Sequence, residues 1–144
     1  MKTSTRPTLL PDPAQLDPPR GYRPLAWFGL FVNLLTIPLV LTAIFADPTW
    51  RVTNIVVGAS AVLPAVCVGL VATIALLRWR HWGQILAIVA LSLSLAISLP
   101  YGIVRLVLVD EGRLQLAVLA PLLWIVNAVV LVYWCRPVIR QYLR

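Results

Sequence analysis

Four long runs free of Asp, Glu, Lys, Arg and His constrain this chain more than any other feature. They cover residues 25–46, 52–77, 83–104 and 114–135. Each exceeds the roughly 20 residues needed to cross a hydrocarbon core of about 30 Å at 1.5 Å rise per residue. A helix at the surface of a soluble core keeps a polar face over such a length, and these runs keep none. Unbonded backbone polar groups are costly in lipid, so segments that span it fold as helices. The runs therefore predict an all-α membrane protein with four transmembrane helices. Composition agrees: 60% of the 144 residues are hydrophobic and 12% charged, where a soluble domain carries about a quarter charged. A soluble enzyme, a disordered chain and a free nucleic-acid binder are all excluded. The net charge of +7 does not favour nucleic acid, because the basic residues are split among short segments between apolar runs.

The joins are short, Asp47-Pro48-Thr49-Trp50-Arg51 and Arg78-Trp79-Arg80-His81-Trp82, with an acidic turn around Gly112. Short joins make consecutive helices antiparallel neighbours, which predicts an up-down four-helix bundle. The expected layout is a Pro-rich flexible tail over 1–24, helices over 25–46, 52–77, 83–108 and 114–135, and a short basic interfacial segment over 136–144. The tail holds six of the twelve prolines, which remove backbone donors and favour extended chain. The first run is longer than a signal-peptide core and no small-residue cleavage site follows it, so it is expected to be retained. Lys2, Arg6, Arg20, Arg23, Arg78, Arg80, Arg136, Arg140 and Arg144 fall on one side; Arg51, Arg105 and Arg113 fall on the other. Cytoplasmic loops carry the excess of basic residues, which places both termini in the cytoplasm. Trp27, Trp79, Trp82, Tyr133 and Trp134 should mark the inner membrane boundary and Trp50 the outer one.

Inside the spans, small residues let backbones approach. Ala61, Ala65 and Gly69 in span two and Ala87, Ala90, Ser94 and Ser98 in span three predict a close hairpin between those helices, with a homodimer face as the alternative for the first stripe. Asn33 and Asn127 each lie about 12 Å from the inner end of their helix, with Cys67, Ser92 and Ser94 near the same level. Such a polar layer is either interhelical glue or a small-molecule or ion site. Pro38, Pro64, Pro100 and Pro121 are candidate kinks. Arg105 should snorkel to the outer interface, with Tyr101 one turn earlier on the same face for a cation–π or phenol contact. Asn33, Asn127, Ser94, Tyr101 and Arg105 are thus the candidate ligand or structural polar residues. Pro137 suits the first position of a short terminal helix.

No CxxC, HExxH, phosphate-cradling glycine loop or intramembrane carboxylate pair occurs. Cys67 and Cys135 differ in depth by about 15 Å, too far for a disulfide, and Cys135 beside Trp134 is a conceivable acylation site. His81, flanked by Arg80 and Trp82, reads as an interface residue and not as a metal ligand. The sequence thus calls for no catalytic residue, metal or cofactor.

Trp82-Gly83-Gln84-Ile85-Leu86-Ala87-Ile88, Pro100-Tyr101-Gly102 and the ending Arg136-Pro137-Val138-Ile139-Arg140-Gln141-Tyr142 resemble a broad group of small, uncharacterised bacterial four-helix integral membrane proteins. The resemblance spans residues 78–144, and it implies a multi-pass protein of the bacterial inner membrane without implying an activity. Eleven arginines against one lysine suit a bacterial genome of high GC content. The expected role is a non-enzymatic structural or accessory subunit whose partners are the lipid bilayer and a second membrane chain or copies of itself. The competing expectation is a small oligomeric transporter or channel with the polar layer around Asn33 and Asn127.

Overall fold

A computed structural model describes residues 19–46, 48–108 and 113–143. The described residues are about 90% helical and hold no strand. Four helices are long and apolar enough to cross a membrane: α1 (Tyr22–Ala46), α2 (Arg51–Leu77), α3 (His81–Leu108) and α4 (Arg113–Trp134). A short helix, α5 (Pro137–Tyr142), follows. The protein is therefore a multi-pass membrane protein. Most of the expected tail, together with Asp47 and the acidic turn, lies outside the described residues.

Each long helix begins one to three residues before the apolar run that announces it. Hydropathy marks the hydrocarbon segment, whereas the backbone ladder continues into the interface, where Arg23, Arg51, His81 and Arg113 remain solvated. Tyr22 was expected to belong to the tail; it opens α1 and is buried.

Helix α2 is interrupted by a π-helical turn at Gly58–Val62, in which the Leu63 N–H reaches the Gly58 carbonyl five residues back. Pro64 explains it. Its ring has no N–H and crowds the carbonyl four residues earlier, and a widened turn absorbs that crowding without breaking the helix. Pro38, Pro100 and Pro121 are accommodated inside continuous α-helix.

The helices pack in chain order, α1 on α2, α2 on α3 and α3 on α4. Glycine sets each contact. A β-carbon at Gly29 would stand 2.9 Å from the Thr73 methyl, and one at Gly69 would overlap the Asn33 side-chain oxygen. The α1–α2 seam is thus reciprocal, since each helix offers a glycine to the other's polar side chain. Asn33 Nδ2 donates to the Gly29 carbonyl (2.7 Å) and Thr73 Oγ1 to the Gly69 carbonyl (2.9 Å). Gly69, expected in the hairpin with span three, faces α1 instead. The α2–α3 contact is made by Gly83, whose missing β-carbon would lie 2.8 Å from both the Ala75 β-carbon and the Leu76 amide nitrogen. Between α3 and α4, Gly102 receives the six-membered ring of Trp124 at 2.7 Å from where its β-carbon would be.

The join between α2 and α3 closes with Trp79 N–H bonded to the Leu76 carbonyl (2.8 Å) and Arg80 N–H to the Ala75 carbonyl (2.9 Å). This is a Schellman ending, which requires a left-handed residue and usually has glycine there. Here Trp79 occupies it, with φ +60°. Its ring stacks on Tyr22 at 5.0 Å and 7° and meets Tyr142 of α5 edge-on at 4.8 Å. Trp134 also stands edge-on to Tyr22, at 5.6 Å. Helix α5 folds over this end of the bundle, leaving Ile139 1% and Leu143 7% exposed. Trp134, expected at the lipid boundary, is 3% exposed, because α5 and Tyr22 cover it. The terminal segment therefore contributes to the core, while its Arg140 stays exposed.

Candidate functional site

Helices α1 and α4 do not pack along their lengths, although a hydrogen bond from the Tyr133 O–H to the Arg20 carbonyl (3.0 Å) ties them at one end. Between them, with α2 and α3 as its floor, lies a partly enclosed cavity of about 490 Å³. Its walls are predominantly Leu, Val, Ala and Ile. The polar exceptions that matter are Asn33, Ser94, Ser98, Tyr101, Trp124 and Asn127. No Asp, Glu, Lys, Arg or His is among its described walls.

Each end of the cavity is fastened by polar bonds, buried at one end and part-buried at the other. At the end near Trp134, the Tyr22 O–H donates to the Leu76 carbonyl (2.6 Å) and Gln84 Nε2 to the Trp134 carbonyl (2.6 Å). Both acceptors lie in the last turn of a helix, where carbonyls lack an intrahelical donor. At the other end, the Tyr101 O–H donates to Asn54 Oδ1 (2.5 Å), and Asn54 Nδ2 donates to the Ala43 carbonyl (3.0 Å). That chain of two bonds clasps α3, α2 and α1 together.

Of the residues expected to form a polar site, Asn127 and Ser94 are directly joined, Nδ2 to Oγ at 3.0 Å. Asn33 lines the same cavity but bonds within its own helix. The matched depth of the two asparagines thus places them on one cavity without a bond between them. Tyr101 belongs to the clasp. Arg105 stands outside the cavity wall, its guanidinium carbon 5.8 Å from the Tyr101 ring centroid and 5.3 Å from that of Trp50. An outward-facing anion pocket built on Arg105 is not part of this cavity. Cys67 and Cys135 are free and exposed and line no part of it.

Tyr22, Asn54 and Gln84 are structural keystones that the sequence reading passed over. Tyr22 lay in a segment taken for tail. Gln84 and Asn54 sit within a turn of a helix start, where polar residues are normally solvated. Their signal was present all the same: a lone amide just inside an apolar run needs a partner wherever the helix end is covered.

Among the described residues no three His, Cys, Asp or Glu side chains gather as a metal ion would require. No protein-family model, curated protein or solved structure matches the chain. Its function is therefore argued from the cavity alone.

Proposed function

We propose that the protein is a non-enzymatic accessory component of a bacterial inner membrane, an up-down bundle with cytoplasmic termini, that holds a small lipid-soluble molecule between α1 and α4. The observation that carries this reading is the cavity of about 490 Å³ fastened at both ends. Single small-molecule sites run from roughly 300 to 1,000 Å³. A partner's transmembrane helix, about 10 Å wide and 30 Å long, fills roughly 2,400 Å³ and does not fit. A membrane partner or second copy would therefore cover the outer faces and leave the cavity to the ligand.

An oligomeric pore is less well supported. A pore needs polar groups on outward faces, and the exposed hydroxyls of Thr42 and Ser60 donate to carbonyls of their own helices, which leaves Ser92 for such a face. The wall around Asn33 and Asn127 instead faces the interior of one chain. Acid–base catalysis on lipid lacks support for the same reason, since the wall carries no carboxylate, imidazole or amine.

A photoreactive alkyl diazirine in lipid nanodiscs tests the proposal. Labelling of Val66, Leu91 and Val130, which line the cavity and are buried or half-buried, should saturate with probe concentration, whereas labelling of the outward Phe31 and Val129 should rise linearly. Ser98→Phe, which fills the cavity, should abolish the saturable part. Linear labelling at every position would refute a cavity that holds a ligand.

A further inference from the structure

We infer that the cleft selects a neutral lipid-soluble alcohol or phenol, whose hydroxyl donates to Asn127 and accepts from Trp124. The inference rests on the ligand-holding reading above and adds the chemistry of the ligand.

Charge comes first. The described walls carry no ionised group, and a charge moved into such a site without a partner is expensive. The ligand is therefore neutral. Its body is apolar, because the walls are.

The polar head follows from what the wall leaves unbonded. Asn127 spends one amide proton on Ser94, while its Oδ1 is buried and accepts no hydrogen bond. Buried polar atoms in native proteins are nearly always bonded, and each exception calls for an explanation. Three residues earlier on α4, the Trp124 indole N–H donates to nothing among the described residues. A spacing of three brings two side chains onto the same helix face, and both residues line the cavity. Trp124 is also held in place, because its ring occupies the space that Gly102 leaves open on α3.

Three other polar groups of the wall already donate elsewhere, Ser94 accepts from Asn127, and the Ser98 hydroxyl lines the same wall. Thr36 donates to the Val32 carbonyl, Asn33 to the Gly29 carbonyl and Tyr101 to Asn54. Trp124 and Asn127 therefore place a donor and a buried, unfilled acceptor one turn apart on the same face of α4. Trp supplies only a donor and the amide oxygen only an acceptor. A hydroxyl answers both through a single oxygen. A ketone, ester or ether answers Trp124 alone and leaves the Asn127 oxygen unbonded. A hydrocarbon answers neither.

The test uses the full chain in nanodiscs with two matched probes, 4-octylphenol and its methyl ether 4-octylanisole, competing with the saturable diazirine label. The phenol should displace the label at concentrations about fivefold lower than the ether, the worth of one net hydrogen bond. Asn127→Leu, which keeps the number and branching of the heavy atoms, should erase that ratio and leave both probes binding like the ether. Trp124→Phe should weaken both probes alike and keep the ratio, because each loses the same donor. Equal potency of phenol and ether on the unmodified protein would overturn the inference while the ligand-holding cleft stood. A ratio that survives Asn127→Leu would overturn the assignment to Asn127. If neither probe displaces a label that is itself saturable, the hydroxyl inference falls alone; if no label saturates, the cleft reading falls with it.

Discussion

Trp79 offers the sharpest test of how this bundle is terminated, because two opposing terms meet at one residue. Its φ of +60° is a conformation that costs a non-glycine residue about 1–2 kcal/mol. Its ring in turn stacks on Tyr22 and meets Tyr142 edge-on, and such pairs contribute about 0.5–1.5 kcal/mol each beyond burial. The half-buried indole hides on the order of 100 Å² from water, worth about 2.5 kcal/mol. Trp79→Ala loses burial and pairs but keeps the backbone strain, so it should destabilise by about 4 kcal/mol. Trp79→Gly loses the same contacts and relieves the strain, so it should be about 1 kcal/mol more stable than the alanine variant. That order is the reverse of the ranking of alanine over glycine in a helix interior. Reversible unfolding of the three proteins in mixed micelles, by SDS titration, reads both differences. An alanine variant as stable as the glycine variant would refute the strain. Two variants within 1 kcal/mol of the unmodified protein would refute the aromatic lock.

Three further outcomes follow from the same contacts. A cysteine at Gln141, in a chain with Cys67 and Cys135 replaced by serine, should resist impermeant maleimide in intact cells and react after lysis; labelling from outside would overturn the cytoplasmic termini. Gly69→Val should disrupt the α1–α2 seam, since a β-carbon there overlaps the Asn33 oxygen, with a loss of about 2–3 kcal/mol by SDS titration; the same change at half-buried Leu70 should cost less than about 1.5 kcal/mol. Tyr101→Phe leaves Asn54 Oδ1 without its donor and should cost about 1–3 kcal/mol, with faster hydrogen exchange at the Asp47-side ends of α1 and α2; unchanged stability would mean that the clasp is dispensable.

The spans were legible because hydropathy acts over twenty residues at once and tolerates any local detail. The partnering of those spans was less so. Ala61, Ala65 and Gly69 recur at four-residue steps, but a small residue permits close approach by any neighbour and does not name which one. Gly69 faces α1 because Asn33 requires a gap there, a fact about another helix. Asn33 and Asn127 stand out as polar residues needing partners, yet equal depth fixes only one coordinate of three. Their faces were set by packing elsewhere, by Gly29 against Thr73 and by Trp124 against Gly102. Trp79 reads from sequence as a boundary ring and Tyr22 as tail, because the contact between them comes from a left-handed turn that no glycine advertises. The terminal helix was expected at the interface from its arginines; its intervening Ile139 and Leu143 carried the burial signal, too brief to register as a period.

The cleft itself follows from where the small residues stop. Gly29 and Gly69 draw α1 against α2, Gly83 draws α3 against α2, and Gly102 admits Trp124 of α4. Each of these seams joins neighbours in the chain, and each is closed by a glycine that removes the side chain from between two backbones. The fourth seam, between α1 and α4, would have to bring Phe28 and Val32 against Leu123, Val126 and Val130, all of which line the cavity. Bulky side chains on both faces hold the helix axes apart, and a void remains between them. Because the gap is maintained by packing, Asn33 and Asn127 are kept from satisfying one another across it. Asn33 turns to its own helix, Asn127 turns to Ser94, and the buried Asn127 amide oxygen is left over. The same steric rule that shapes the cavity thus also creates its unfilled acceptor.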